Sequence, residues 1–160
     1  MNRKLPLILY WFILGFFNFV KVYGNDEGDA LNDLKTQLKD PNNILKSWDS
    51  TLANPCTWFG VTCNNENSVI RLHLGNASLS GQMGTQLVRL RNLQYLSLSN
   101  NNLTGAIPIL LTIIASLQVI DLSNNFLTGD VPFNGSFLMF IASRFNFGFM
   151  TPDIMSYAFA

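Results

Sequence analysis

The sequence predicts an α/β solenoid: a right-handed coil of three 24-residue repeats, closed at its amino end by a helical, disulfide-linked cap. Three observations predict it. Apolar residues recur with a fixed period, a helical apolar pattern cut off by proline precedes them, and the chain's two cysteines lie between the two regions.

The period is 24 residues. Val69, Leu72 and Leu74 are followed by Leu93, Leu96 and Leu98, and then by Leu117, Ile120 and Leu122. Each unit continues through Leu79, Leu103 or Leu127, a glycine at 81, 105 or 129, and Met83, Ile107 or Val131. Gly84, Pro108 and Pro132 follow. The Leu-x-Leu core alternates as a short strand does, leucines inward and the residues between them outward. Asn101 and Asn125 fall where the chain bends away from that strand, where a buried amide can satisfy backbone groups that no sheet partner reaches. Ala77 takes this slot in the first unit. Glycine and proline set the second bend. One unit cannot bury its apolar face alone, and stacking makes the core continuous. The repeats are placed at 68–91, 92–115 and 116–137.

The cap is placed at 25–67. Ala30, Leu31, Leu34 and Leu38 have helical spacing, and Pro41 stops the helix. Residues 42–48 give a second short helical piece. Trp48 and Trp58 read as core plugs. Cys56 and Cys63 are expected to form a disulfide, because two thiols and a single histidine are poor zinc ligation. No metal or cofactor is expected.

Residues 1–24 read as a secretory signal. Arg3 and Lys4 precede an apolar run from Leu5 to Val20, and Val22 and Gly24 are small enough for the positions before a cut ahead of Asn25. The alternative is an anchor helix, which Pro6 and Asn18 oppose by shortening the apolar stretch below the roughly 20 residues a span needs. Three of the ten basic residues lie in this leader, leaving seven against ten acidic side chains, a balance of −3. Such a chain has no polyanion-binding surface, which excludes nucleic acid as the main partner. The only histidine, His73, has no cysteine or serine at a readable catalytic spacing, and no kinase motif is present, so no enzyme is expected.

The runs Gly28-Asp29-Ala30-Leu31, Asp40-Pro41-Asn42-Asn43, Ser47-Trp48-Asp49 and Asn54 to Cys63 resemble the amino-terminal cap of plant leucine-rich-repeat proteins. The repeat, with its G-x-I-P close, is similar to their extracellular subtype. Over about residues 26 to 137 the chain resembles the ectodomain of somatic embryogenesis receptor kinases, plant co-receptors that pair with larger repeat receptors around a bound steroid or peptide hormone. That family has five repeats, a membrane span and a kinase; this chain has three repeats, and its second unit runs on as if into the family's last.

The resemblance implies partner contacts at Leu52, Ala53, Phe59, Arg71 and Tyr95, and an extracellular domain of a larger leucine-rich-repeat receptor kinase as partner, with a steroid or peptide hormone. Period arithmetic places Arg71, Tyr95 and Val119 in one outward column, His73, Ser97 and Asp121 in a second, and Gly75, Ser99 and Ser123 in a third. Gly60 stands where the family usually has histidine and Ser99 where it has tyrosine, two contacts expected to be lost. Sequons at Asn76, Asn102 and Asn134 are expected to carry glycans, Asn102 in an exposed turn.

Within residues 109–114 only Leu111 and Ile114 should point inward, leaving Ile109, Leu110 and Ile113 toward solvent. The aromatic tail, 138–160, either folds over the open end of the coil together with Phe133 and Phe137 or is drift in a truncated copy. The functional expectation is a secreted protein-binding module of receptor or co-receptor type. The alternatives are a defence inhibitor of cell-wall-degrading enzymes, or a receptor-kinase fragment held at the plasma membrane.

Overall fold

A computed structural model describes residues 26–52 and 54–132. The leader at 1–24, Ala53, Asn134 and the aromatic tail lie outside the described residues. Helix α1, Asp26–Gln37, carries Asp26, Glu27 and Asp29 in its first turn, where the helix dipole favours negative charge, and buries Gly28, Ala30, Leu31 and Leu34. The helix ends before Leu38, which sequence spacing assigned to it. Leu38–Lys39 is instead a short strand, β1, pairing antiparallel with Ser80 and Gly81. A strand edge far along the chain, at Ser80 and Gly81, competes for these residues, and helical spacing alone does not register it. A 3₁₀ turn at Ile44–Ser47 follows, its first amides held by the Asp40 carboxylate at 3.1 and 2.8 Å.

Two sheets run through the repeats. One has the order β2 (Val61–Cys63), β3 (Val69–His73), β5 (Tyr95–Ser97), β7 (Val119–Asp121). The β2–β3 pair is antiparallel and the rest parallel, with Leu72, Leu96 and Ile120 in register. The second sheet, β1, β4 (Ser80–Gln82), β6 (Asn102–Gly105), β8 (Phe126–Leu127), occupies a stretch that the glycines marked only as a bend. Gly81 shows why glycine stands there: its φ is +116°, and a Cβ would lie 2.4 Å from the Gln37 carbonyl. The cap therefore docks against a bare backbone.

The Leu-x-Leu residues and the cap tryptophans form one core, with Trp48 and Trp58 stacked at 5.6 Å between ring centroids. Asn101, 4% exposed, accepts from the amides of Ala77 and Leu79 and donates to the carbonyls of Leu74, Leu98 and Ser99. Asn125 repeats this on the next rung, bonding Leu103, Leu98, Leu122 and Ser123, but is only half-buried. Cys56 and Cys63 form the expected disulfide. Side chains tie the cap to the first repeat: the Glu27 carboxylate accepts the Val69 amide at 2.8 Å, and Arg89 pairs with Asp26 and Asp33. Leu111 and Ile114 are buried, whereas Ile109 and Ile113 are 65% and 63% exposed and Leu110 is exposed as well.

Candidate functional site

The outward face of the β2–β3–β5–β7 sheet begins with β3. Its pleat buries Val69 and Leu72 and turns Arg71 and His73 out. Register then sets Tyr95 beside Arg71 and Val119 beside Tyr95. The Arg71 guanidinium carbon lies 4.4 Å from the Tyr95 ring centroid, a cation–π contact that stabilises such exposed pairs by about 0.5–1 kcal/mol. The His73 ring lies 6.4 Å from that of Tyr95, tilted by 37°. Tyr95 thus gathers both basic side chains of β3.

Phe59 is 51% exposed, and its backbone is held from both sides. Its amide donates to the Ser47 hydroxyl at 2.9 Å, and its carbonyl accepts the Trp48 indole N–H at 2.9 Å. The ring is therefore presented to solvent from a fixed main chain. The next residue, Gly60, accepts the His73 amide at 2.8 Å, which puts this apolar element at the His73 end of β3. Leu52 is exposed in a turn closed by Asp49, which accepts the Thr51 hydroxyl and amide. These two bonds hold the Asp49 carboxyl below its ordinary range.

Ser47 and Trp48 were missed as positioning residues by the sequence reading; the Ser47-Trp48 pair was visible, but not that it grips the main chain twelve and eleven residues on. Ser97 and Ser99, expected on the open surface, are buried, their hydroxyls 3.3 Å apart. A serine has one heavy atom beyond Cβ and does not rise above larger neighbours. Gly60 has φ +75°, and a Cβ there would meet the His73 carbonyl at 2.4 Å, so this backbone accommodates no side chain at that position. Asn76 is exposed in a left-handed corner at φ 56°. Asn102 is exposed too, but on β6 of the other sheet rather than in a turn, its amide donating to the Leu79 carbonyl.

Among the described residues no group of three or more His, Cys, Asp or Glu could hold a metal ion, and no helix is long and apolar enough to cross a membrane.

Comparison with known proteins follows the same division of the chain. Residues 24–64 match the leucine-rich-repeat N-terminal domain, and residues 91–135 match a model of two leucine-rich-repeat copies. Leucine-rich repeat protein 1 of Arabidopsis thaliana is 56% identical over 75 residues, 47% of this chain and 34% of that protein. The chain carries a leucine-rich-repeat N-terminal segment and leucine-rich repeats similar to those of plant proteins. The leucine-rich-repeat protein thus aligns with about a third of the length of this curated relative. Among solved structures it is similar to the BIR2 ectodomain of Arabidopsis thaliana, at 40% identity and a TM-score of 0.62, over 68% of this chain and 59% of that one. A chain of the Arabidopsis thaliana BIR3–SERK2 complex is 38% identical with a TM-score of 0.60, over 64% of this chain and 58% of that one. The fold is similar to that of plant leucine-rich-repeat ectodomains.

Proposed function

We propose that this leucine-rich-repeat protein is a secreted recognition module of co-receptor type, which docks without chemistry of its own onto the ectodomain of a larger leucine-rich-repeat receptor kinase, with a steroid or peptide hormone at the junction. The observation that carries the reading is the pairing of a rigidly held, exposed Phe59 with the Arg71–Tyr95 contact on the neighbouring sheet face. Aromatic and arginine side chains are the types that dominate interface energies, and a fixed main chain lowers the entropy lost on binding. Leu52 and Ala53 extend the contact along the cap. The leader at residues 1–24 delivers the chain to the cell exterior. Glycans at Asn76, Asn102 and Asn134 mark surface outside the contact, and the position of Asn102 on the other sheet suits that role.

Inhibition of a cell-wall-degrading enzyme has less support: the parallel strands β3, β5 and β7 with their spacings make a face only about 15 Å across.

The test is surface plasmon resonance of the purified glycoprotein over immobilised receptor-kinase ectodomains, with and without their hormones. Saturable binding to at least one, weakened about tenfold or more by Phe59→Ala, is expected. No binding to any ectodomain in either condition rejects the reading.

A further inference from the structure

We infer that Arg71 and Tyr95 form a seat for a carboxylate of the partner polypeptide, an inference that rests on the recognition role above and names the chemistry of its polar contact. Arg71 is exposed, and among the described residues it makes no ion pair. The contrast with Arg89 is direct: that guanidinium is taken by Asp26 and Asp33, which lock the cap onto the first repeat. Arg71 instead rests on a ring. A guanidinium held over an aromatic face keeps N–H groups at its edge, and that edge matches the two oxygens of a carboxylate.

No residue of the sheet supplies that acceptor. Asp121 is the sheet's only acid, it stands on β7 beyond the intervening β5, and its carboxylate accepts from Ser123. Tyr95 also restrains the guanidinium, so less freedom is lost when an acceptor arrives. His73, its ring against the same phenol, adds a polar ring at the border of the seat. One permanently charged group matches one negative charge, which favours a carboxylate over a doubly charged phosphate. Phe59, at the His73 end of β3, would receive the apolar residue beside it. The carboxylate has two possible sources, an acidic side chain or a chain terminus.

The probes are N-acetyl-aspartyl amide for the side chain and N-acetyl-alanyl-alanine for the terminus, each compared with its neutral amide counterpart. They are titrated into the isotopically labelled protein while the Arg71 Nε–H and Tyr95 ring signals are followed. At least one acid should give saturable shifts, about fivefold or more tighter than its amide, and the tighter acid names the source. Arg71→Lys, which keeps the charge and loses the fork, should weaken binding about threefold or more, and Arg71→Gln should abolish the shifts. Equal shifts with acid and amide, or shifts that survive in Arg71→Gln, overturn the inference. Receptor capture unchanged by Arg71→Gln also overturns it while leaving the recognition role standing. Acid-selective shifts in a protein that captures no ectodomain uphold the seat and reject that role.

Discussion

Asn101 shows how much one side chain can hold. Its carboxamide serves two amides and three carbonyls, on its own turn and on the preceding one. Replacing it with alanine leaves buried donors and acceptors unmatched, each costing about 1–3 kcal/mol. Asn101→Ala should therefore lose about 3–5 kcal/mol in chemical denaturation, against about 1–2 kcal/mol for the half-buried Asn125. A loss at position 101 no greater than at 125 would contradict the account. Glu27 gives a prediction of the opposite kind. Burial raises its carboxyl above the ordinary value of 4.5, more strongly than the Val69 amide lowers it. The folded chain therefore binds this proton more tightly than the unfolded chain does. The associated stability is complete below the ordinary carboxylate range and is lost as pH rises through the raised value. Asp49 runs the other way, its contribution present above the ordinary range and lost as pH falls through its lowered value. Melting temperature followed across the acidic range should lose the Glu27 component in Glu27→Gln.

The cap is closed internally by the disulfide and fastened to the repeats by the Glu27 carboxylate, the Arg89 clamp and β1 laid against Gly81. The disulfide spans a sequence separation of 7 and by chain entropy contributes about 2.5 kcal/mol. The double variant Cys56→Ser, Cys63→Ser should lose about that much. Arg89→Ala, at a partly exposed pair, should cost under about 1 kcal/mol. Urea denaturation of the two variants in parallel tests the order of these effects. Elements also show where the sequence was readable. Ala30, Leu31 and Leu34 announced α1 through their spacing, and all three are fully buried. Leu38 carried the same spacing and was misassigned, since its fate is decided by Ser80 and Gly81 rather than by its neighbours. The second sheet was hidden because glycine weakens strands and reads as a bend. The side-by-side placement of Arg71 and Tyr95 was legible from the period, but their cation–π contact was not. The grip on Phe59 was not, because it depends on where an indole N–H points.

At the scale of the whole molecule, the two sheets divide the surface. The first carries Arg71, His73 and Tyr95; the second carries the Asn102 sequon. A glycan there should leave receptor binding intact: Asn102→Gln should lose one glycan's mass and retain its affinity, as read by mass spectrometry and surface plasmon resonance. A tenfold loss of affinity would place the second sheet in the interface instead. Ile109 and Ile113, on one short 3₁₀ turn, present exposed apolar side chains to solvent. The asparagine bonding has one more consequence. Asn101 reaches back to Leu74 and Leu79, and Asn125 reaches back to Leu98 and Leu103, so these connections repeat at the same two offsets, 27 and 22 residues. A gene that gains or drops one whole period, cut at any phase, finds the same addresses at its new junction. Length in such a chain is a countable quantity, free to change by integers and penalised for fractions.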